Sequence, residues 1–165
     1  MTGLSIVPAE AGAAESLAAL HRASFDEPWD APSIAAILAM PGSFALVAVR
    51  DAGAAGSRLP VGFVLLRVAA DEAEILTIAV DPALRRAGVG RRLVEAAAAL
   101  ALAHGASALF LEVAEDNAPA LALYEGQGFR TVGRRPGYYR RAGGVVSALT
   151  MRLDLAGLRP QGAGA

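Results

Sequence analysis

The sequence predicts a mixed α/β (α+β) fold, one central β-sheet flanked by helices, and three observations predict it. Short apolar runs of strand character alternate along the chain with segments of helical spacing. Glycine, proline and aspartate punctuate the junctions between them. The chain has 165 residues, 55% hydrophobic and 19% charged, which suits one compact domain with ample core material. The tally is about six to seven strands and about four helices in a single domain over residues 1–158. The Gly, Ala and Pro tail at 159–165 is expected to be disordered.

Residues 4–7 read as a first strand ended by Pro8. Residues 15–23 have helical spacing, with Leu17, Leu20 and Phe25 toward one side. The segment PWDAP breaks that helix, and Asp30 suits the N-cap of a second, with Pro32 in its first turn and Ile34, Ile37 and Leu38 on its buried face. Pro41 and Gly42 end it, and residues 44–50 form the next strand. Residues 51–60, DAGAAGSRLP, read as a mobile Gly-rich connection. Two strands follow, 61–69 and 73–80, joined by a hairpin turn at Ala70, Asp71 and Glu72. A basic loop then leads into a helix from about 90 to 104, with Leu93, Ala97, Leu100 and Ala101 recurring at helical spacing and Gly105 as its C-cap. Residues 109–113 are a strand, 119–125 a short helix, and 129–132 and 146–154 the last strands. Between these two, residues 134–141 read as a basic loop.

Composition narrows the function classes. The formal net charge of −1 argues against a dedicated nucleic-acid binder, which needs a basic face to displace counterions. The absence of cysteine rules out disulfides, thiolate metal sites and a cysteine nucleophile. With His21 and His104 as the two histidines, no multi-histidine metal site is expected, and both read as helix-surface residues. No leader is read at the start, and no apolar run reaches the roughly 18–20 residues that span a bilayer, so the expected location is cytoplasmic, without a membrane partner. Trp29 reads as a packing anchor, and Asp26 and Glu27 as solvated charges.

The strongest local signal is IAVDPALRRAGVGRRL, from Ile78 to Leu93. A strand enters a loop with glycines at 88 and 90, and a helix follows. Glycine lets backbone approach an anion closely, and the open N–H groups at a helix start favour a phosphate there. Arg85, Arg86, Arg91 and Arg92 add positive charge. The plainer alternative is a basic surface loop ahead of an ordinary helix. No Lys-[Ser/Thr] follows the glycines, and the G-x-G-x-x-G spacing is missing, so neither a Walker loop nor a Rossmann fingerprint is present.

Five further residues are candidates for the chemistry. Glu112 lies between Leu111 and Val113 in an apolar strand, so alternation turns it to the opposite face. It reads either as a general base or as a solvated strand-end carboxylate. Asn117 reads as an N-cap. Tyr124, near Leu121 and Leu123, reads as core or as a phenol that protonates a leaving group. Tyr138 and Tyr139 line a substrate groove or cover the sheet edge.

In order and spacing these pieces resemble the GNAT superfamily and, within it, the ribosomal-protein-alanine (RimI-like) N-acetyltransferases, over about residues 76–139. The phosphate motif [Gln/Arg]-x-x-Gly-x-[Gly/Ala] is similar to Arg85 to Gly90. The Ile-Ala-Val strand, the Leu-Glu-Val strand, the Asn before a helix, Leu-Tyr, Gly-Phe and Arg-x-x-Tyr-Tyr correspond to segments ending at Val80, Val113, Asn117, Tyr124, Phe129 and Tyr139. The resemblance implies a GNAT fold and acetyl-CoA as cosubstrate, with no metal. Backbone of Ile78, Ala79 and Val80 would pair with the pantetheine arm, and backbone of Arg86, Ala87, Gly88, Val89, Gly90 and Arg91 would hold the pyrophosphate. Asn117 would hydrogen-bond the cofactor, Glu112 would act as base and Tyr124 as acid. The implied acceptor is a protein N-terminal α-amine, with a ribosomal protein as partner. One departure is Ser147-Ala148, where the family carries an acidic residue in a Gly-x-x-Asp-Ala type pattern. Other functions compatible with the sequence are acetylation of a small amine, lysine side chain or antibiotic, and a non-catalytic acetyl-CoA sensor.

Overall fold

The structure is a computed structural model that describes residues 3–53 and 56–158. The expected disordered tail at 159–165, and Ala54 and Ala55 of the Gly-rich connection, lie outside the described residues. The strands are β1 (Leu4–Pro8), β2 (Ser43–Asp51), β3 (Arg58–Ala69), β4 (Glu72–Val80), β5 (Ala108–Ala114), β6 (Arg130–Arg141) and β7 (Gly144–Asp154). The helices are α1 (Ala14–Ser24), α2 (Ala31–Leu38), α3 (Val89–Ala103) and α4 (Ala118–Gly126). The strands form one mixed sheet in the order β1-β2-β3-β4-β5-β7-β6.

Two compact units are distinguishable, Met1–Arg67 with Thr77–Ala97, and Val68–Leu76 with Ala98–Ala165. In the first, β2 pairs antiparallel with both β1 and β3. The β2–β3 ladder runs from Ser43↔Arg67 to Asp51↔Arg58, so the strand ends take in Asp51 and Arg58–Pro60, four of the ten residues of the expected mobile connection at 51–60. β-Pairing recruits Arg58, Leu59 and Pro60, although their sequence carries no strand pattern. On α1, Leu17, Ala18 and His21 are buried, a stripe at helical spacing. Two expectations change here. His21 is 2% exposed, whereas Phe25 is 40% exposed. The buried stripe runs through position 21 and leaves Phe25, just beyond the helix, to cap the imidazole from outside. α2 starts as expected. Asp30 Oδ1 accepts from Ser33 N–H at 2.8 Å. The Ser33 hydroxyl first, and this backbone bond second, hold the Asp30 carboxyl below its ordinary range. Ile34 is fully buried.

Gly62 on β3 sets how closely α3 packs in this unit. A Cβ there would lie 2.9 Å from Ala79 O, 3.2 Å from Leu93 Cδ1 and 3.3 Å from Val89 Cγ1. The missing side chain lets the first turns of α3 lie directly on the strands and positions the loop that precedes them. Val89, Leu93 and Val94 are almost wholly buried beneath that helix.

In the second unit, β4 pairs in parallel with β5 over Glu72–Glu74 and Ala108–Phe110. β5 pairs antiparallel with β7 from Ala108↔Asp154 to Ala114↔Ala148. Leu109, Leu111, Met151 and Leu155 form its apolar centre. Gly105, at φ +89°, ends α3 as expected, with Ala106 N–H bonded to Ala101 O at 3.0 Å. The basic segment 134–141, expected as a loop, is instead part of β6. Its ladder with β7 shifts between Arg135 and Tyr139, where Pro136 and Gly137 interrupt the pairing. A strand that admits such a bulge carries no clean period-2 signature, which is why the sequence reads as a loop.

Candidate active site

The basic loop is built as a strand-turn-helix. Pro82–Leu84 makes one 3₁₀ turn, capped by Asp81 Oδ1 accepting from Ala83 N–H at 3.0 Å. Arg86 at φ +66° and Gly88 at φ +83° turn the chain. Nothing lies within 4 Å of a Cβ built at Gly88, so its surface is open to an incoming group. Arg92 N–H makes the bond to Gly88 O at 3.2 Å, so the first turn of α3 opens directly out of the loop. Arg85 and Arg86 are exposed. The other two arginines are engaged: Arg91 Nε contacts Glu95 Oε1 at 3.0 Å, and Arg92 Nη1 donates to Leu4 O at 2.9 Å. The loop therefore presents backbone donors and two exposed guanidinium groups, a donor set that fits a pyrophosphate.

On β4, Ala79 is buried while Ile78 and Val80 are half-buried. The Val80 carbonyl already accepts from Ser24 Oγ at 3.2 Å, a contact the sequence did not signal. His21 belongs to the same unit. Its Nδ1 accepts from Trp29 N–H at 3.0 Å, so the neutral ring carries its proton on Nε2, which donates to Thr77 Oγ1 at 3.1 Å. The ring is stacked between Phe25 at 4.2 Å and Trp29 at 5.1 Å, and burial pushes its pKa down.

The second unit gathers the other candidates. Leu111 and Val113 are buried, and Glu112 faces the other way with its side chain 19% exposed. Arg135 Nε on β6 stands 3.0 Å from Glu112 Oε1, and the Arg135 guanidinium lies 5.5 Å from the Tyr138 ring centre. Tyr138 meets Tyr139 edge-on at 5.0 Å. Burial, then the Glu112 charge, raises the Tyr139 phenol. Two more pairs tie the turn after β5 to the same strand, Glu115 with Arg134 at 3.1 and 3.3 Å and Asp116 with Arg141 at 3.1 Å.

Tyr124 is held by α4 at both ends. Asn117 Oδ1 accepts from Ala120 N–H at 3.3 Å, the expected cap, leaving its donors on the amide nitrogen. At the other end Gly128, at φ +97°, allows Phe129 N–H to bond Tyr124 O at 3.0 Å and Gly128 N–H to bond Glu125 O at 3.1 Å. The Tyr124 ring is buried against Phe129, 5.7 Å between centres. Burial, with a smaller effect of Tyr139, pushes its pKa up to about 12, so the phenol stays protonated near neutrality. Ser147, at the departure from the family pattern, accepts from Gly137 N–H through Oγ at 3.3 Å and from Glu115 N–H through its carbonyl at 2.9 Å. Thus Glu112, Tyr124, Tyr138 and Tyr139 come together in one unit, while Ile78 to Val80 and Arg86 to Arg91 belong to the other. Among the described residues no group of three or more His, Asp or Glu side chains could hold a metal ion, and no helix is long and apolar enough to cross a membrane.

The family model of the Acetyltransferase (GNAT) family matches residues 14–129. The chain belongs to the GNAT family. It is 40% identical over 133 residues to the N-alpha-acetyltransferase RimI of Mycobacterium tuberculosis, covering 78% of this chain and 77% of that protein. It is 40% identical over 94 residues to the [Ribosomal protein bS18]-alanine N-acetyltransferase of Salmonella typhimurium, covering 57% and 64%. The chain thus spans less than two thirds of the length of the first curated relatives it matches. The crystal structure of the ribosomal-protein-S18-alanine N-acetyltransferase from Escherichia coli superposes with a TM-score of 0.83 at 28% identity, covering 92% of this chain and 94% of that one. The seven-stranded mixed sheet with four helices is the GNAT fold.

Proposed function

We propose that this GNAT protein transfers the acetyl group of acetyl-CoA to the N-terminal α-amine of a protein, by direct attack with both substrates bound. The observation that carries the reading is the grouping of Glu112, Tyr139 and Tyr124 in one unit, where the Glu112 charge raises the Tyr139 phenol and Tyr139 adds to the effect of burial on the protonated phenol of Tyr124. The names of the bacterial relatives support an α-amine, and a ribosomal protein is the candidate partner. Acetyl-CoA supplies the activated acyl group as a thioester. Backbone donors from Arg86 to Arg91 would hold its pyrophosphate, Ile78, Ala79 and Val80 its arm, and Asn117 would add a hydrogen bond. Tyr138 and Tyr139 contribute to the acceptor side.

Glu112 takes a proton from the acceptor ammonium, directly or through water. The neutral nitrogen forms its bond to the acyl carbon, the carbon–sulfur bond breaks, Tyr124 delivers its proton to the departing thiolate, and the acylated nitrogen sheds its second proton, which restores the Tyr124 phenol. An α-amine with a pKa of about 7.7–8.0 needs less help than a lysine at about 10.4. The test offers acetyl-CoA with Ala-starting peptides, internal-lysine peptides and small amines, follows thiol release and locates the acetyl group by mass spectrometry. α-Acetylation of the Ala peptide is expected. Acetyl-lysine as the main product would overturn the acceptor assignment, and no turnover of any acceptor despite acetyl-CoA binding would favour a sensor. Glu112→Gln is expected to lower kcat/KM by about 10²-fold or more, most severely at low pH, with partial recovery as rising pH supplies neutral amine.

A further inference from the structure

The pairing of Glu112 with Arg135 gives the guanidinium a role of its own. Glu112 sits on β5 and pairs in register with Thr150 of β7, which in turn pairs with Gly133 of β6. Gly133 puts no side chain into that row. Arg135, two residues further along β6 and on the same face by alternation, reaches across to Glu112 at 3.0 Å. Its single ion-pair contact joins Nε to Oε1. The same guanidinium is braced on the exposed Tyr138 ring, 5.5 Å from its centre. The bulge at Pro136-Gly137, tied down by Gly137 N–H to Ser147 Oγ, is what brings residues 135 and 138 close enough to share this contact.

Little of this serves stability. The Arg135 side chain is 60% exposed against 19% for Glu112, and an ion pair with one arm in solvent adds little to folding. We propose that Arg135 is the positioning residue of the acceptor site: braced on Tyr138, it holds Glu112 by Oε1 and leaves Oε2 turned to take the proton of the incoming amine. The proposal rests on the reading of Glu112 as the base. It adds that the base is aimed from β6, and that Tyr138 acts on the acceptor partly by bracing Arg135.

A double-mutant cycle tests this with the full chain. Arg135→Gln, Arg135→Lys, Glu112→Gln and the double variant Arg135→Gln/Glu112→Gln are compared for kcat and KM of an Ala-starting peptide. Thermal unfolding and calorimetric acetyl-CoA binding check that each variant is folded. Arg135→Gln is expected to lose roughly 10-fold in kcat, within the up to about 10²-fold that a misplaced group costs. Its acetyl-CoA affinity and unfolding temperature stay near those of the parent chain. Arg135→Lys, which keeps the charge, recovers most of the loss. In the Glu112→Gln background the Arg135 substitution has no further effect, because the group it aims is gone. An equal loss in both backgrounds, a loss confined to KM, or unchanged kcat in Arg135→Gln overturns the positioning role while leaving Glu112 as base. Parent-like activity in Glu112→Gln overturns the base itself, and the Arg135 role with it.

Discussion

Tyr124 and His21 are both buried and titratable, and burial acts on them in opposite directions. Desolvation favours the uncharged form of each, so it raises a phenol and lowers an imidazole. For Tyr124 the consequence is a hydroxyl that keeps its proton at working pH. Tyr124→Phe removes that proton and little else; kcat is expected to fall by about 10²–10⁴-fold with acetyl-CoA affinity retained. Steady-state kinetics at saturating substrates check this, and full activity would return Tyr124 to a packing role. For His21 the sign runs through the unfolded chain. An imidazole whose folded pKa lies below 6.5 contributes stability that is present above 6.5 and lost as pH falls through the folded value, since the unfolded state binds the proton first. Protonation would also place a donor on Nδ1, against the Trp29 N–H it now accepts. Urea midpoints are therefore expected to drop between about pH 7 and pH 5. His21→Gln, though less stable throughout, should show a flatter profile in that window. The same slope in both proteins would count against this account.

Among the elements, α3 depends most on one atom that is missing. Gly62→Val would push a side chain into Ala79 O, which is backbone and cannot rotate away. Overpacking of this kind costs about 1–3 kcal/mol. The expected outcome is a lower denaturant midpoint together with weaker acetyl-CoA binding, because the start of α3 and the loop before it shift as one piece. Unchanged binding in a folded Gly62→Val protein would show that the loop does not depend on this packing. α4 works differently. Its termini are fixed by Asn117 and by the Gly128 turn, so Tyr124 sits on a short helix whose ends are both specified locally. That made α4 easy to place from sequence. β6 was not, because a strand whose ladder is interrupted at Pro136-Gly137 has no alternating pattern to display.

At the scale of the whole molecule, ligand binding and folding are linked. A ligand that binds the folded state alone, at 100 times its Kd, adds about 2.7 kcal/mol of stability. For a chain of this length each kcal/mol moves the midpoint by about 2–4 °C, so acetyl-CoA is expected to raise Tm by roughly 5–10 °C. Gly88→Val should abolish most of that shift, since a β-branched residue at φ +83° is strained and its side chain fills space now open. Differential scanning fluorimetry with and without acetyl-CoA reads both values. An equal shift in parent and variant would displace the pyrophosphate from this loop.

By itself the sequence determined the order of the elements, the caps at Asp30 and Asn117, the glycine that ends α3 at 105, and the basic Gly-containing loop ahead of α3. Each of these is a local matter, in which a residue type answers a backbone requirement a few positions away. The family followed from the same local motifs taken in order. The tertiary structure decided which charges meet. Arg135 opposite Glu112, Ser24 on Val80 and Thr77 on His21 join residues 23 to 56 positions apart, and strand pairing in the first case and the packing of α1 on β4 in the other two fix such partners. It likewise decided that His21 is interior, because Trp29 and Phe25 fold back over it. Burial and charge pairing are properties of packed surfaces, and a linear pattern of residue types does not specify them until the chain closes on itself.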